Sequence, residues 1–104
     1  MAARDETSFL ATVKKALMIS NEDTFADDEI TLHIHSCEVY LVSIGLSKED
    51  AKSDDTLVES LILIYVKTFY GFKSDGSVKE LPSNFDILAR QLVLTRSEVI
   101  SHDS

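Results

Sequence analysis

Apolar residues recur along this chain at spacings of three and four, which is the period of one face of an α-helix. The clearest case is the stretch from Ala26 to Ile44. Its apolar face consists of Ile30, Ile34, Cys37, Leu41 and Ile44. The same reasoning predicts four helices, at about residues 8–18, 26–44, 56–70 and 83–94. The pattern therefore indicates a small all-α bundle.

Residues with known capping preferences mark the ends of these helices. Gly45 is a candidate for the left-handed residue that ends the second helix, with Leu46 folding back as its apolar contact. Thr56 and Glu59 have the spacing of a capping box, which predicts that a third helix begins there. Gly71 is expected to end it.

The segment Leu61–Val66 (LILIYV) is the most ambiguous part of the pattern, because its periodicity and β-branching also suit a buried strand. We favour a helix for three reasons. A capping box precedes the segment, its apolar character continues to Tyr70, and no partner strands are evident.

The remaining segments are predicted to be connections. The charged stretch 47–55 has room for one helical turn, and 73–80 contains an Asp-Gly pair typical of a turn or mobile loop. A flexible tail is expected over 97–104. With 104 residues and few turn formers, the chain is expected to be one helical domain, 1–104, with its core at about 8–94.

The charge balance argues against nucleic-acid binding. Eighteen acidic and ten basic residues give a net charge of −8, and the basic residues are scattered rather than clustered. The single cysteine suits a reducing compartment. The first residues, MAARDETSFL, lack the pattern of a signal peptide, and no apolar run approaches the ~20 residues that span a bilayer. We expect a protein made in the cytoplasm, without a membrane.

His33, His35 and Cys37 are the metal-capable residues closest together in sequence. On a helix His35 is rotated by roughly 200° from His33, so the three cannot bind one ion. We therefore expect His33 and Cys37 at the edge of the core and His35 in solvent, with no metal or cofactor. Cys37 lies on the apolar face, which argues against a nucleophilic role.

An acidic cluster at the start of the second helix could be imagined as a calcium loop, but Phe25 and Ala26 break the required alternation of oxygen ligands. The only glycines stand alone, so no phosphate-binding loop is present. No nucleophile with a base, metal set or cofactor loop can be assembled, and an enzyme is not expected.

Aromatic residues are concentrated near the end of the third helix: Tyr65, Phe69, Tyr70 and Phe72, with Phe85 further on. Lys67 and Lys73 are too few to make this group a nucleic-acid platform. We expect core packing together with an interface to a subunit or partner, because the apolar surface exceeds what a small bundle can hide.

The order of these features resembles the head-to-tail connector, or adaptor, family of tailed bacteriophages. The resemblance spans about Ser8 to Leu92. Its elements are a short opening helix (FLATVKKALMI), a long helix entered through DDEITLHI, an apolar helix with an aromatic end (LILIYVKTFYGF), and a Leu-Pro-x-x-Phe-x-x-Leu segment (LPSNFDIL). The chain departs from the family pattern where Arg90-Gln91-Leu92 replaces a Tyr-Arg ending.

The resemblance implies a structural protein of the virion neck. It would form a ring, commonly dodecameric, beneath the portal and join the head to the next neck protein, a stopper or tail component, while DNA passes without specific binding. The expected portal or subunit interface comprises Phe69, Tyr70, Phe72, Leu81, Pro82, Phe85, Leu88 and Leu92. The expected acidic rim of the passage comprises Glu22, Asp23, Asp27, Asp28 and Glu29.

A second hypothesis remains open. A small acidic chain could instead be a regulatory module that binds one protein, as a mimic of DNA. It would form a one-to-one complex with a DNA-binding protein, and competition by salt or DNA would separate it from ring assembly.

Overall fold

Helix α2 holds the fold together. The computed structural model describes residues 2–71 and 79–101, with side chains as far as Arg96. The helices are α1 (Glu6–Ala16), α2 (Asp27–Ser43), α3 (Lys48–Ala51), α4 (Thr56–Phe69) and α5 (Phe85–Ser101). α2 packs against α1, α3 and α4, and α4 packs against α5. The predicted all-α class is confirmed. The structure adds one helix to the four predicted ones: α3, a single turn within the connection 47–55, where the sequence leaves room for it.

The core is formed by the apolar faces that the periodicity identifies. Its fully buried side chains include Val13, Ile30, Cys37, Leu41, Val58, Ile62, Val66 and Ala89. The segment Leu61–Val66 is helical, as expected. It is apolar on more than one side because α4 lies between α2 and α5. Leu61 and Ile62 are buried, and the neighbouring Leu63 and Ile64 pack against the same core while half-buried.

The end of α2 confirms the role of Gly45. Its φ is +120°, a conformation that side chains rarely adopt. The Gly45 N–H donates to the Val42 carbonyl at 3.1 Å, and the Leu46 N–H donates to the Leu41 carbonyl at 3.0 Å. These two bonds define a Schellman motif, and Leu46 is buried beneath it. A Cβ at Gly45 would lie 3.0 Å from Cγ1 of Val93, so α5 also needs a glycine here.

The start of α4 differs from the expected capping box. The N-cap is Asp55, whose carboxylate accepts from the Leu57 N–H at 2.9 Å. Thr56 is the first helical residue instead. Glu59 lies with its carboxylate 3.8 Å from Nε of Arg4, a cation that local sequence does not place there. The helix start was predicted to within one residue, but the capping box was wrong.

The other boundaries fall close to the expected positions. α1 begins earlier than expected because the Asp5 carboxylate accepts from the Ser8 N–H at 3.1 Å. α4 ends at Phe69, and Gly71 follows with φ +87°. α5 has helical backbone to Ser101, beyond the predicted end at Leu94. The predicted mobile loop falls largely on 72–78, and the end of the predicted tail on 102–104, which lie outside the described residues.

Candidate interaction surfaces and buried charges

The residues expected at an interface occupy three different environments. Phe85 and Leu92 are buried in the core of the single chain, so the interface assignment needs correction for these two. Phe69, Tyr70 and Leu81 are half-buried, and Pro82 and Leu88 are exposed. Phe72 lies outside the described residues. The exposed and half-buried members therefore remain the candidates for a partner.

Phe85 is buried because its ring packs against aromatic residues of α2 and α4, and this contact holds α5 against the rest of the bundle. Its ring centroid lies 5.8 Å from that of Tyr40 in α2 and 6.3 Å from that of Tyr65 in α4. Tyr65 also packs on Phe69, with centroids 4.8 Å apart. Such tilted pairs stabilise a core beyond the area they bury. The predicted aromatic group is thus mainly the junction of α2, α4 and α5.

An apolar groove runs between α4 and α5, with a volume of about 280 Å³. We call it the α4–α5 groove. Its lining residues are Leu57, Ser60, Leu61, Ile64, Leu88, Gln91, Leu92 and Thr95. Leu57 and Leu88 are exposed at its edges. The groove lies beside the predicted docking segment and is continuous with it through Leu88.

The predicted acidic rim is divided by internal contacts. Asp27 lies 2.9 Å from Nζ of Lys14, an ion pair that neutralises it. The Glu29 carboxylate accepts from the Gly71 N–H at 2.9 Å and lies 3.3 Å from Nε2 of His33. These contacts, led by the Gly71 bond, lower the pKa of Glu29. Asp27 and Glu29 therefore serve the fold.

The other three acids of that set, Glu22, Asp23 and Asp28, are exposed. No lysine or arginine among residues 2–71 and 79–96 forms an ion pair with them. Of the five residues of the predicted acidic rim, these three remain candidates for an acidic surface that a partner could contact.

The connection between α1 and α2, residues 17–26, carries the most exposed apolar side chains of the described chain. We call it the Phe25 corner. Phe25 is 97% exposed and Met18 is 93% exposed. In the sequence, Phe25 was noted only as a residue that breaks the pattern of a calcium loop. Its position outside both apolar faces was the available signal that it would not reach the core.

A second groove, of about 360 Å³, lies between α2 and α3. We call it the α2–α3 groove. Val39, Val42 and Ala51 form its apolar part, and Lys48 and Lys52 stand at its edge. Val39 is 68% exposed although its neighbours on α2 belong to the core. The groove therefore combines an apolar floor with a basic edge.

Two buried basic residues were missed by the sequence analysis. Arg4 pairs with Glu38 at 3.0 Å, donates to the carbonyls of Ala51 and Ser53, and lies 5.0 Å from the centre of the Phe9 ring. Glu38 was the available signal, because it falls on the buried face of α2. A charged residue at such a position requires a buried partner.

Lys14 is the second buried cation. Its ammonium donates to the Asn21 carbonyl at 3.0 Å and pairs with Asp27. Both contacts hold the Phe25 corner against α1 and α2. Lys14 lies on the same face of α1 as Leu10, Val13 and Leu17, and this spacing was the available signal that it is buried.

Chemistry at His33, His35 and Cys37 is limited by their positions. Cys37 is fully buried, and burial raises the pKa of its thiol to about 12. His33 is half-buried and His35 is exposed beside Glu38, as expected. Among residues 2–71 and 79–101, no three His, Cys, Asp or Glu side chains are grouped to hold a metal ion.

The described surface thus defines a small helical protein with apolar grooves and an exposed aromatic corner, which is the surface of a protein that binds other proteins. Residues 9–99 match the model of the family described as Phage connector protein. The chain belongs to this family. No curated protein and no solved structure gives a significant match.

Membership in the family confirms the resemblance seen in the sequence. It indicates a component of the phage neck with a structural rather than an enzymatic role. In the part of the chain that the structure describes, no helix combines the length and apolar character required to cross a bilayer.

Proposed function

We propose that this chain is an adaptor that assembles as a ring, dodecameric as in the family pattern, under the portal of a DNA-filled head. The ring joins the portal to the next neck protein, a stopper or tail component. The α4–α5 groove carries this proposal, because it leaves a continuous apolar surface beside the Leu-Pro segment. A partner that covers this surface gains the free energy of removing it from water.

The portal contact is assigned to the C-terminal part of the chain, from about Leu81 onward. Pro82 and Leu88 are exposed there, and Leu81 is half-buried. Leu88 also lines the α4–α5 groove, so an apolar segment of the portal could cover both at once. Phe69 and Tyr70 lie at the end of α4, and we include them in the proposed portal contact. Phe85 and Leu92 act behind this surface, by holding α5 in place.

The acidity of the chain suits a passage for DNA. A net charge of −8 repels the phosphate backbone, so DNA can pass without sticking. Asp27 and Glu29 of the predicted rim have internal partners, so this repulsion is attributed to the net charge of the ring and not to the rim residues as a set.

The alternative of a DNA mimic has less support. A mimic needs a continuous array of free carboxylates that replaces a row of phosphates. Glu38 and Asp55 are instead buried in ion pairs with Arg4 and Arg96, and Asp27 pairs with Lys14. These acids stabilise the fold and are not offered to a partner.

The experiment is to mix the purified chain with purified portal protein from the same phage and to determine the mass of the complex by native mass spectrometry. We expect a ring complex with one chain for each portal subunit. Leu88→Asp should weaken the complex at least about tenfold, because it places a charge in an apolar contact. Leu32→Asp, at a more exposed apolar position on α2, is the control and should bind normally.

A lack of association between the unchanged chain and the portal would contradict the proposal. A one-to-one complex with a DNA-binding protein, dissociated by DNA, would support the alternative instead.

A further inference from the structure

The Phe25 corner is ordered by specific contacts, although its aromatic side chain faces solvent. The Asp23 carboxylate accepts from the Phe25 N–H at 3.0 Å, and the Asp27 N–H donates to the Thr24 carbonyl at 3.2 Å. Lys14 holds the same corner from below through Asn21 and Asp27. The corner therefore holds the backbone of Phe25 in place and directs its side chain into solvent.

An exposed aromatic ring on an ordered stretch of backbone is suited to binding another protein. Aromatic side chains are enriched at the centres of protein interfaces, since they bury a large area at a small loss of conformational freedom. Phe25 is 97% exposed, and Met18 stands exposed on the same corner. Glu22, Asp23 and Asp28 are exposed on or next to the same corner in sequence and form no ion pair with a described lysine or arginine. The corner is thus an apolar projection with an acidic edge.

The α2–α3 groove has the complementary character. Its floor is apolar, formed by Val39, Val42 and Ala51, and its edge carries Lys48 and Lys52. The acids of α3, Glu49 and Asp50, line a neighbouring depression together with the same two lysines. Glu38 in the groove wall is buried and paired with Arg4, Lys52 and His35. Lys48 is therefore the lysine of this edge that can meet an approaching acidic surface.

The two surfaces lie near opposite ends of α2. Phe25 precedes the helix and Val39 lies in its last turns, so about 20 Å of helix axis separates them. One rigid chain cannot bring them together. Two copies can, and because the surfaces differ, one copy of the pair keeps a free groove and the other a free corner, so further copies can add.

We propose that the Phe25 corner of one copy inserts into the α2–α3 groove of the next copy, so that α2 carries both halves of the subunit contact. This inference rests on the proposed function, since it names the contact from which the ring is built. It places the carboxylates of Glu22, Asp23 and Asp28 against Lys48 of the neighbour rather than along the DNA passage.

The test uses two variants that each remove one side of the contact. Phe25→Ser removes the aromatic ring and leaves the groove intact, whereas Val39→Asp places a carboxylate in the groove and leaves Phe25 intact. Both positions are exposed, so each variant should fold, which circular dichroism and thermal unfolding check. Leu32→Ser removes an exposed apolar side chain of α2 outside both surfaces and outside the proposed portal contact, and is the matched control.

Association is measured by native mass spectrometry under conditions in which the unchanged chain assembles, alone or on the portal. Each variant alone should lose about tenfold or more in apparent association constant. Mixed in equal amounts, the two variants should form a dimer that grows no further, because each mixed pair keeps one intact contact. Leu32→Ser should assemble like the unchanged chain.

A second measurement does not depend on loss of assembly. A chain with both Thr24→Cys and Val42→Cys, which keeps Phe25, should form a ladder of disulfide-linked oligomers on mild oxidation. The natural Cys37 does not compete, because it is buried and its thiol has a pKa of about 12. Thr24→Cys alone should yield no ladder.

The outcomes separate this contact from the proposed function. Normal assembly of both variants, or disruption by Leu88→Asp instead of Val39→Asp, would overturn the contact and leave the ring standing. Failure of the unchanged chain to assemble, alone and on the portal, would overturn the proposed function and this inference together. Neutralising Glu22, Asp23 and Asp28 should reduce self-association and its salt dependence. Unchanged association would mean that these acids do not take part in the subunit contact and remain candidates for the rim of the DNA passage.

Discussion

The N-terminal side of the bundle and helix α5 are held by different forces. On the N-terminal side, Arg4 lies inside the protein, where it binds Glu38 and the carbonyls of Ala51 and Ser53 at the end of α3. Helix α5 is held mainly by apolar side chains on one face, Phe85, Ala89 and Leu92. Its pair of Arg90 with Asp86 lies at the surface, and Arg96 near its C-terminal end pairs with Asp55 of the α4 N-cap.

This difference shows which surface is available for partners. Charges on the N-terminal side are used inside the chain, and replacing them breaks a network of several elements. Helix α5 contributes only one face to the core, and its other side leaves Ile87, Leu88 and Leu94 exposed. Packing of α5 can therefore be changed by a partner at a smaller cost to the rest of the fold.

The largest effect should come from Arg4→Ala. It leaves the Glu38 carboxylate buried with only Lys52 and His35 beside it, and we expect a loss of about 3 kcal/mol in the free energy of unfolding. Urea denaturation followed by circular dichroism measures this loss. A change close to zero would show that the Arg4 network contributes little and that the two regions are held alike.

Leu92→Ala should have a smaller and more local effect. Removing this buried side chain leaves a cavity between α4 and α5, with an expected cost of about 2 kcal/mol. Native-state hydrogen exchange should show faster exchange in α5 and little change in α1 and α2. Equal acceleration in every helix would contradict the separate behaviour of α5.

The smallest effect is expected for Arg90→Ala. This residue has an ion pair with Asp86 one turn away, in full contact with water, and surface pairs contribute little once salt screens them. The midpoint of urea unfolding at neutral pH should fall only slightly. A clear fall would mean that Asp86, which also accepts from the Tyr40 hydroxyl at 2.5 Å, depends on Arg90 for its position.

The loss of stability as the pH is lowered tests the same ion pair a second time. Bonds from Tyr40 and then Arg90 lower the pKa of Asp86. A carboxyl group whose folded pKa lies below its unfolded value stabilises the fold above the unfolded value, and this contribution is lost as the pH falls through the folded pKa. Arg90→Ala should therefore flatten the fall in stability below the ordinary pKa of an aspartate, and an unchanged loss of stability at low pH would contradict it.

Much of the helical framework could be predicted because its signals are local. The apolar face of α2 is explicit in the spacing of Ile30, Ile34 and Leu41, and the end of that helix is explicit in Gly45. The interface was less predictable. Phe85 satisfies the spacing of a core residue and of a docking residue alike, and only its contacts with Tyr40 and Tyr65 decide between them.

Sequence alone therefore determined the helical class, the positions of the main helices and the family, because each depends on residues a few positions apart or on their order along the chain. Tertiary structure alone decided that Arg4 meets Glu38, that Lys14 supports the Phe25 corner, and which acids remain free. These contacts join residues distant in sequence. Their partners are selected by how the helices pack, which no local spacing encodes.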